Sequence, residues 1–193
     1  MKNVWIIIGA LVAIFILYCV TTYNGLVGSQ EAVNQQWAQV QTVYQRRLDL
    51  IPNLVATVKG YAKHEQSTLL AVTEARAKAT QIKIDMGSAS PEQLKAYLQS
   101  QQQVSSSLSK LLAVVERYPD LKASQNFLAL QNQLEGTENR ISVERHRFND
   151  AVKKYNVSIR KFPRVTIAHL FNFTQKPYYE ADVAAATTPK VEF

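Results

Sequence analysis

Cysteine is almost absent: Cys19 is the only one in the chain, and it lies inside an apolar run. A disulfide framework and a cysteine-based metal site are therefore excluded. Glycine and proline are sparse too, six of each in 193 residues, and long stretches contain neither. This argues against a turn-rich β fold and for helices. The histidines His64, His146 and His169 are scattered, without the spacing of a metal-binding helix. No glycine-rich phosphate loop and no GxSxG nucleophile elbow occurs. Carboxylates such as Glu135 and Glu138 fall at helical spacing on a charged stretch, the pattern of a surface or structural pair. Cys19 inside a membrane segment cannot serve as a nucleophile. The sequence offers no catalytic residue, no metal ligands and no cofactor site, so a non-enzyme is expected. Nucleic acid is not an expected partner, because the basic stretch lacks interleaved exposed aromatics.

What is present begins with Val4–Val20, 17 consecutive residues without a charge or strongly polar group. That is near the lower limit for crossing a bilayer, and residues 21–23 can extend it. Trp5, Tyr18 and Tyr23 lie near its ends, as interfacial aromatics do. A cleaved signal peptide would need small residues at the cleavage site, and Leu17 to Thr21 offer none that fit. A lipidated Cys19 would need a small residue before it, where Tyr18 stands. The reading is an uncleaved anchor over residues 1–23. Lys2 precedes the span and no Lys or Arg follows until Arg46, which puts the N-terminus in the cytoplasm and the rest on the exported side.

About 165 residues remain, enough for one domain with a core. Gly25 and Gly28 read as a flexible joint and Ser29 as a helix cap. A 3.5-residue seam then runs through Val33, Trp37, Val40, Tyr44, Arg47, Ile51, Leu54, Val58, Tyr61 and Glu65, with Leu69 and Val72 roughly continuing it. Pro52 should interrupt a helix, yet the seam keeps its phase across it. One long helix kinked near Pro52 is favoured over a second helix starting there with Asp49 as cap. Ser90-Pro91-Glu92 starts the next helix, with Ser as cap and Pro in the first turn. Its Gln- and Ser-rich segment Gln99–Ser109 reads as a polar helical face. A last long helix is predicted from about Leu121 to Phe162. Phe127, Leu134, Ile141, Phe148, Tyr155 and Phe162 recur every seven residues along it. Gly136 within it suggests a close backbone contact or a local bend. Ile167–Phe173 reads as a short apolar helix or turn on one end of the bundle, and residues 181–193 as a mobile tail. The fold class is all-α: an N-terminal transmembrane helix (1–23) followed by an antiparallel long-helix bundle (24–180).

Arg47, Glu138 and Arg145 fall where core residues are expected. An isolated buried charge is too unfavourable to persist. The expectation is an ion network centred on Glu138, with Arg47 and Arg145 as donors and Asp49 or Asn53 nearby. Its role is either to hold helix register or to bind a ligand or headgroup. Asn149 and Asn156, at heptad spacing beside the same seam, are expected to bond a neighbouring helix. From Arg140 to Arg164 there are eight Lys/Arg against Glu144 and Asp150, a net of six positive charges. This is either a solvated face or a surface for anionic lipid, with Lys153, Lys154, Arg160 and Lys161 as contacts.

Several blocks, TYNGLV after the anchor, RRLDLIPNLVATVKGYAKHE, LEGTENRISVERHRFNDAVKKYNVSIRKFP, FNFTQKPYYEA and the terminal PKVEF, occur in an order that resembles the LemA family of bacterial membrane proteins. The resemblance covers nearly the whole chain. It implies one N-terminal span in the bacterial inner membrane and a long-helix bundle. It supplies no enzymatic activity and no catalytic residues, and some relatives belong to magnetosome membranes. The expected function is a membrane-anchored scaffold or adaptor that forms a homo-oligomer or recruits a protein partner. The alternative is a binding module for anionic lipid headgroups or a small acidic ligand.

Overall fold

The first helix, α1, runs without interruption from Lys2 to Tyr61. At 60 residues it is a rod of roughly 90 Å. The computed structural model describes residues 2–62 and 64–179. Among the described residues there are helices and no strand: α2 Gln66–Gln81, α3 Pro91–Val115, α4 Pro119–Lys122, α5 Gln125–Arg160 and α6 Arg164–Leu170. Residues 181–193, read as a mobile tail, lie outside the described residues.

From Thr22 onward α1 pairs with α5, because both carry the same heptad pattern. Leu26, Val33, Trp37, Val40 and Tyr44 share a core with Ile141, Phe148, Val152, Tyr155 and Ile159. Leu48, Leu54 and Val58 share the other half with Leu134 and Phe127. Ascending positions on α1 meet descending positions on α5, so the pair is antiparallel. α2 and α3 cover this pair over its distal half, with Leu69, Val72, Leu108, Leu111 and Val115 in the shared core. The α2–α3 connection is fixed to α1 where Trp37 Nε1 and Gln41 Nε2 donate to the Ile84 carbonyl at 3.2 and 3.0 Å. α6 and an extended segment, residues 173–179, lie against the proximal half.

Several local expectations change. Gly25 and Gly28 are helical, and Ser29 is not a cap: its Oγ donates to the Gly25 carbonyl at 2.8 Å. A glycine lowers helix stability by only about 1 kcal/mol, and the buried Thr22, Leu26 and Val33 hold the phase. The seam does not run on to Val72. α1 stops at Tyr61, and Leu69 and Val72 belong to α2, folded back on α1. The last long helix is divided, with α4 separated from α5 at Ala123–Ser124. Among the described residues nothing approaches Gly136 within 4 Å of where a Cβ would stand, so no close contact among them explains it. At α3 the capping box forms: Ser90 Oγ accepts from the Gln93 N–H at 3.2 Å, and Gln93 Oε1 accepts from the Ser90 N–H at 2.9 Å.

The structure shows how α1 tolerates Pro52. A proline has no N–H, so the carbonyl four residues earlier, Leu48, loses its helical partner. Arg76 of α2 supplies it, with Nε donating to the Leu48 carbonyl at 2.9 Å. Arg76→Ala is therefore expected to destabilise the protein by about 1–2 kcal/mol. In a Pro52→Ala background the Leu48 carbonyl regains a helix N–H, and the same substitution should cost less than about 0.5 kcal/mol. Urea titration of the four proteins measures the coupling. Additive effects would show that Arg76 does not serve the proline.

Candidate functional site

The seam position of Arg47 puts its side chain between α1, α3 and α5, and it is 0% exposed. Its guanidinium has four partners. Nη1 donates to Glu138 Oε1 at 2.8 Å and to Ser105 Oγ at 2.7 Å. Nη2 donates to the Gln101 carbonyl at 3.0 Å and to Gln101 Oε1 at 2.7 Å. Nε is buried without a partner among the described residues, and the guanidinium carbon lies 5.1 Å from the Tyr44 ring centroid. Glu138 is 44% exposed, so the pair has one end in the core and one at the surface. Most of the desolvation therefore falls on Arg47, and the neutral acceptors of α3 share its charge.

Arg145 does not reach Glu138. It lies two turns along the same helix and instead meets α1, with Nε and Nη2 donating to the Tyr44 hydroxyl at 2.9 and 2.6 Å. It also stacks over the Tyr179 ring, 4.5 Å from the centroid. The Tyr44 and Tyr179 hydroxyls are 3.0 Å apart. Burial raises the Tyr179 phenol well above its ordinary value, with the neighbouring Tyr44 adding to the shift. Burial likewise raises Tyr97, whose ring packs edge-on against Tyr44 at 5.8 Å. The Tyr179 and Tyr97 phenols therefore stay neutral, and that of Tyr179 hydrogen-bonds the Tyr44 hydroxyl.

Asp49 and Asn53 are outside this cluster. Both are exposed, because they fall off the seam. Asp49 accepts from Gln45 at 2.7 Å, and the Asn53 backbone carbonyl accepts from Thr57 at 2.8 Å. Lys153, Lys154, Arg160 and Lys161 are all exposed. Asn149 and Asn156 bond an extended strap and not a helix. Asn156 accepts from the Lys176 N–H at 2.9 Å and donates to the Lys176 carbonyl at 2.8 Å. Asn149 does the same with Tyr179, at 2.8 and 2.9 Å. The match is geometric: seven helical residues and three extended residues both span roughly 10 Å. Tyr155 adds a bond to the Thr174 carbonyl at 2.9 Å. Lys176, nearly buried, donates to the Gly87 carbonyl at 2.7 Å. Burial lowers its pKa, and Asp85 opposes the shift.

The partners Gln101, Ser105, Arg76 and Lys176 are absent from the sequence reading. The segment 99–109 is not simply a polar face, since Ser100, Gln101 and Ser107 are buried. One signal for Gln101 existed: it takes the seam place between Tyr97 and Val104. Between α3 and α5, Leu108, Leu112 and Leu134 line an open groove of about 460 Å³, with Glu138 and Ser105 at one end. Among the described residues, no group of three or more His, Cys, Asp or Glu could hold a metal ion.

The LemA family model matches residues 36–193. The chain belongs to the LemA family. Its likeness extends to "Magnetosome protein MamQ" of Magnetospirillum gryphiswaldense, 27% identical over 92% of this chain and 72% of the relative. "Magnetosome protein MamQ 2" of Paramagnetospirillum magneticum is 26% identical over 91% and 71%. "Protein LemA" of Metamycoplasma hominis is 27% identical over 78% of this LemA-family chain and 65% of that protein. The family match includes Arg47, Gln101, Glu138, Arg145, Asn149 and Asn156. The proximal end of α1 precedes it.

Proposed function

We propose that this chain is a single-pass membrane scaffold that holds a rigid helical bundle at the bacterial inner membrane. The carrying observation is α1. One uninterrupted helix contains an apolar stretch with none of its residues buried inside the protein, followed by a stretch whose seam is the bundle core. Up to Leu17 the apolar part packs on nothing among the described residues, which suits lipid. Because the helix does not break, the bundle's position follows that of the span. Relatives named as magnetosome proteins point toward the same role at a membrane compartment. We place the N-terminus in the cytoplasm and the bundle on the exported side, from Lys2 and the absence of further cations before Arg46. We assign it no catalytic activity. In this reading the polar contacts around Arg47 hold α1, α3 and α5 in register.

Self-association is part of the proposal, and the structure narrows its route. Phe127, Leu134, Ile141, Phe148 and Tyr155 are all buried within one chain, so the heptad seam is unavailable to a second copy. We take its route to be the span or the open α3–α5 face. Native mass measurement of the full chain in mild detergent should show more than one copy per particle. A Leu112→Glu variant should move particles to monomer if the open face is used. A monomer for the unmodified chain would overturn the self-association and leave the anchor reading standing.

A further inference from the structure

The proximal end of the bundle is built differently from the rest of its surface. From residue 151 to residue 179 the chain contains no Asp or Glu, yet it holds Lys153, Lys154, Arg160, Lys161, Arg164 and Lys176. α5 ends at Arg160, the chain turns at residues 161–163, and α6 packs back against α1. The return places Phe171 and Phe173 against Tyr23, with ring centroids 4.8 and 5.7 Å apart. Tyr23 stands just past the apolar run of α1. This corner of the bundle therefore lies at the level where the apolar segment ends.

On that corner Phe162 is 86% exposed, Leu170 70% and Phe171 50%, flanking α6 at its two ends. Other exposed large apolar residues outside the span, such as Leu70, Leu128 and Val143, are scattered singly. Arg160, Lys161 and Arg164 are exposed among the three. Among the described residues, Arg160 and Arg164 each use one N–H inside the chain, on the Asn156 carbonyl and Ser158 Oγ, which leaves other guanidinium donors facing outward. Glu31 of α1 lines the cleft beside Phe171 and Phe173, but α6 and its turns carry no acid of their own. Apolar groups interleaved with cations are the pattern of a surface that lies in a lipid interface.

We propose that α6 and its flanking turns form a second membrane contact. Phe162, Leu170 and Phe171 enter the headgroup–acyl boundary, and Arg160, Lys161 and Arg164 engage anionic phospholipid headgroups of the leaflet at the end of the span. The proposal rests on the reading of α1 as the membrane span. Charge complementarity and continuity with that span identify the bilayer as the occupant. Mechanically, a contact beside α1 gives the rod two supports in place of one, so the bundle resists tilting.

The test uses the full chain with Cys19→Ser, reconstituted in vesicles of phosphatidylcholine alone or with phosphatidylglycerol. Single Leu11→Cys, Leu170→Cys and Leu128→Cys variants carry an environment-sensitive fluorophore, and lipids bearing a spin label quench it. Strong quenching at positions 11 and 170 and none at 128 is expected. With phosphatidylglycerol, reversing Arg160, Lys161 and Arg164 to Glu should weaken quenching at 170 by more than about fivefold, with added salt acting in the same direction. An unchanged circular dichroism melt shows that these surface variants remain folded. Quenching at 11 but not at 170 overturns the second contact alone. No quenching at 11 overturns the span reading and the contact with it. Quenching at 170 that ignores both lipid charge and the reversals overturns the headgroup assignment.

Discussion

Arg47→Ala is expected to destabilise the bundle by about 3–5 kcal/mol, the usual result of deleting one member of a buried charged network. The loss has two sources. The buried Gln101 side-chain oxygen loses its donor, and an unsatisfied buried polar group costs about 1–3 kcal/mol, while the Gln101 carbonyl keeps Ser105 Oγ. The vacated volume lies at the junction of three helices, where a cavity adds to the loss. Glu138 contributes less because it is 44% exposed and can be rehydrated. Glu138→Gln should therefore cost no more than about 1 kcal/mol. Arg47→Met combined with Gln101→Leu removes charge and acceptor together and should recover most of the stability. Urea unfolding of the full chain in detergent, followed by circular dichroism, orders these variants. If Glu138→Gln proved as damaging as Arg47→Ala, the ion pair and not the α3 acceptors would be the main restraint on Arg47.

Asn156→Ala should release the strap while leaving the bundle folded. Asn156 satisfies both the N–H and the carbonyl of Lys176 at a buried position. Losing both bonds costs about 2–4 kcal/mol, which predicts roughly 30- to 1,000-fold faster hydrogen exchange at the Lys176 amide. Amides of Phe148 and Val152 in α5 should keep their protection, because their partners are helical. Asn149→Ala should act mainly on Tyr179 and more weakly, since Asn149 is only half-buried. Asn156→Asp keeps an acceptor and loses the donor, so an intermediate rate is expected. Unchanged exchange at Lys176 in Asn156→Ala would mean that Tyr155, Lys176 and the Tyr179 stack hold the strap without it.

The two predictions differ in how far the residues announce themselves. Arg47 and Glu138 stand at seam positions, so a charge in a core could be read from periodicity alone. Where their other partners lie could not. Gln101 and Ser105 are 54 and 58 residues away from Arg47. Arg145 holds the same seam place two turns from Glu138, and which of them meets Arg47 depends on the axial stagger of α1 and α5. The asparagines show the same limit. Their spacing marks one helix face, but their partners are backbone groups of residues 176 and 179, which carry no side-chain signature. Pro52 is the reverse case. Its tolerance looks like a property of α1, yet the compensating donor, Arg76, comes from another helix.

The sequence alone determined the features that are local and periodic. These are the apolar segment near the N-terminus, the phase of the seams across Pro52, the capping box at Ser90 and the all-α class. Each depends on residues within a turn or two of one another, so neighbouring identities suffice. Only the tertiary structure decided the pairings. It set the return of α2 on α1, the three-helix junction at Arg47, the strap on Asn149 and Asn156, and the placement of α6 beside Tyr23. Those depend on the relative shift of packed helices, and that shift is set by the sum of many weak contacts across the interface. No single residue records it.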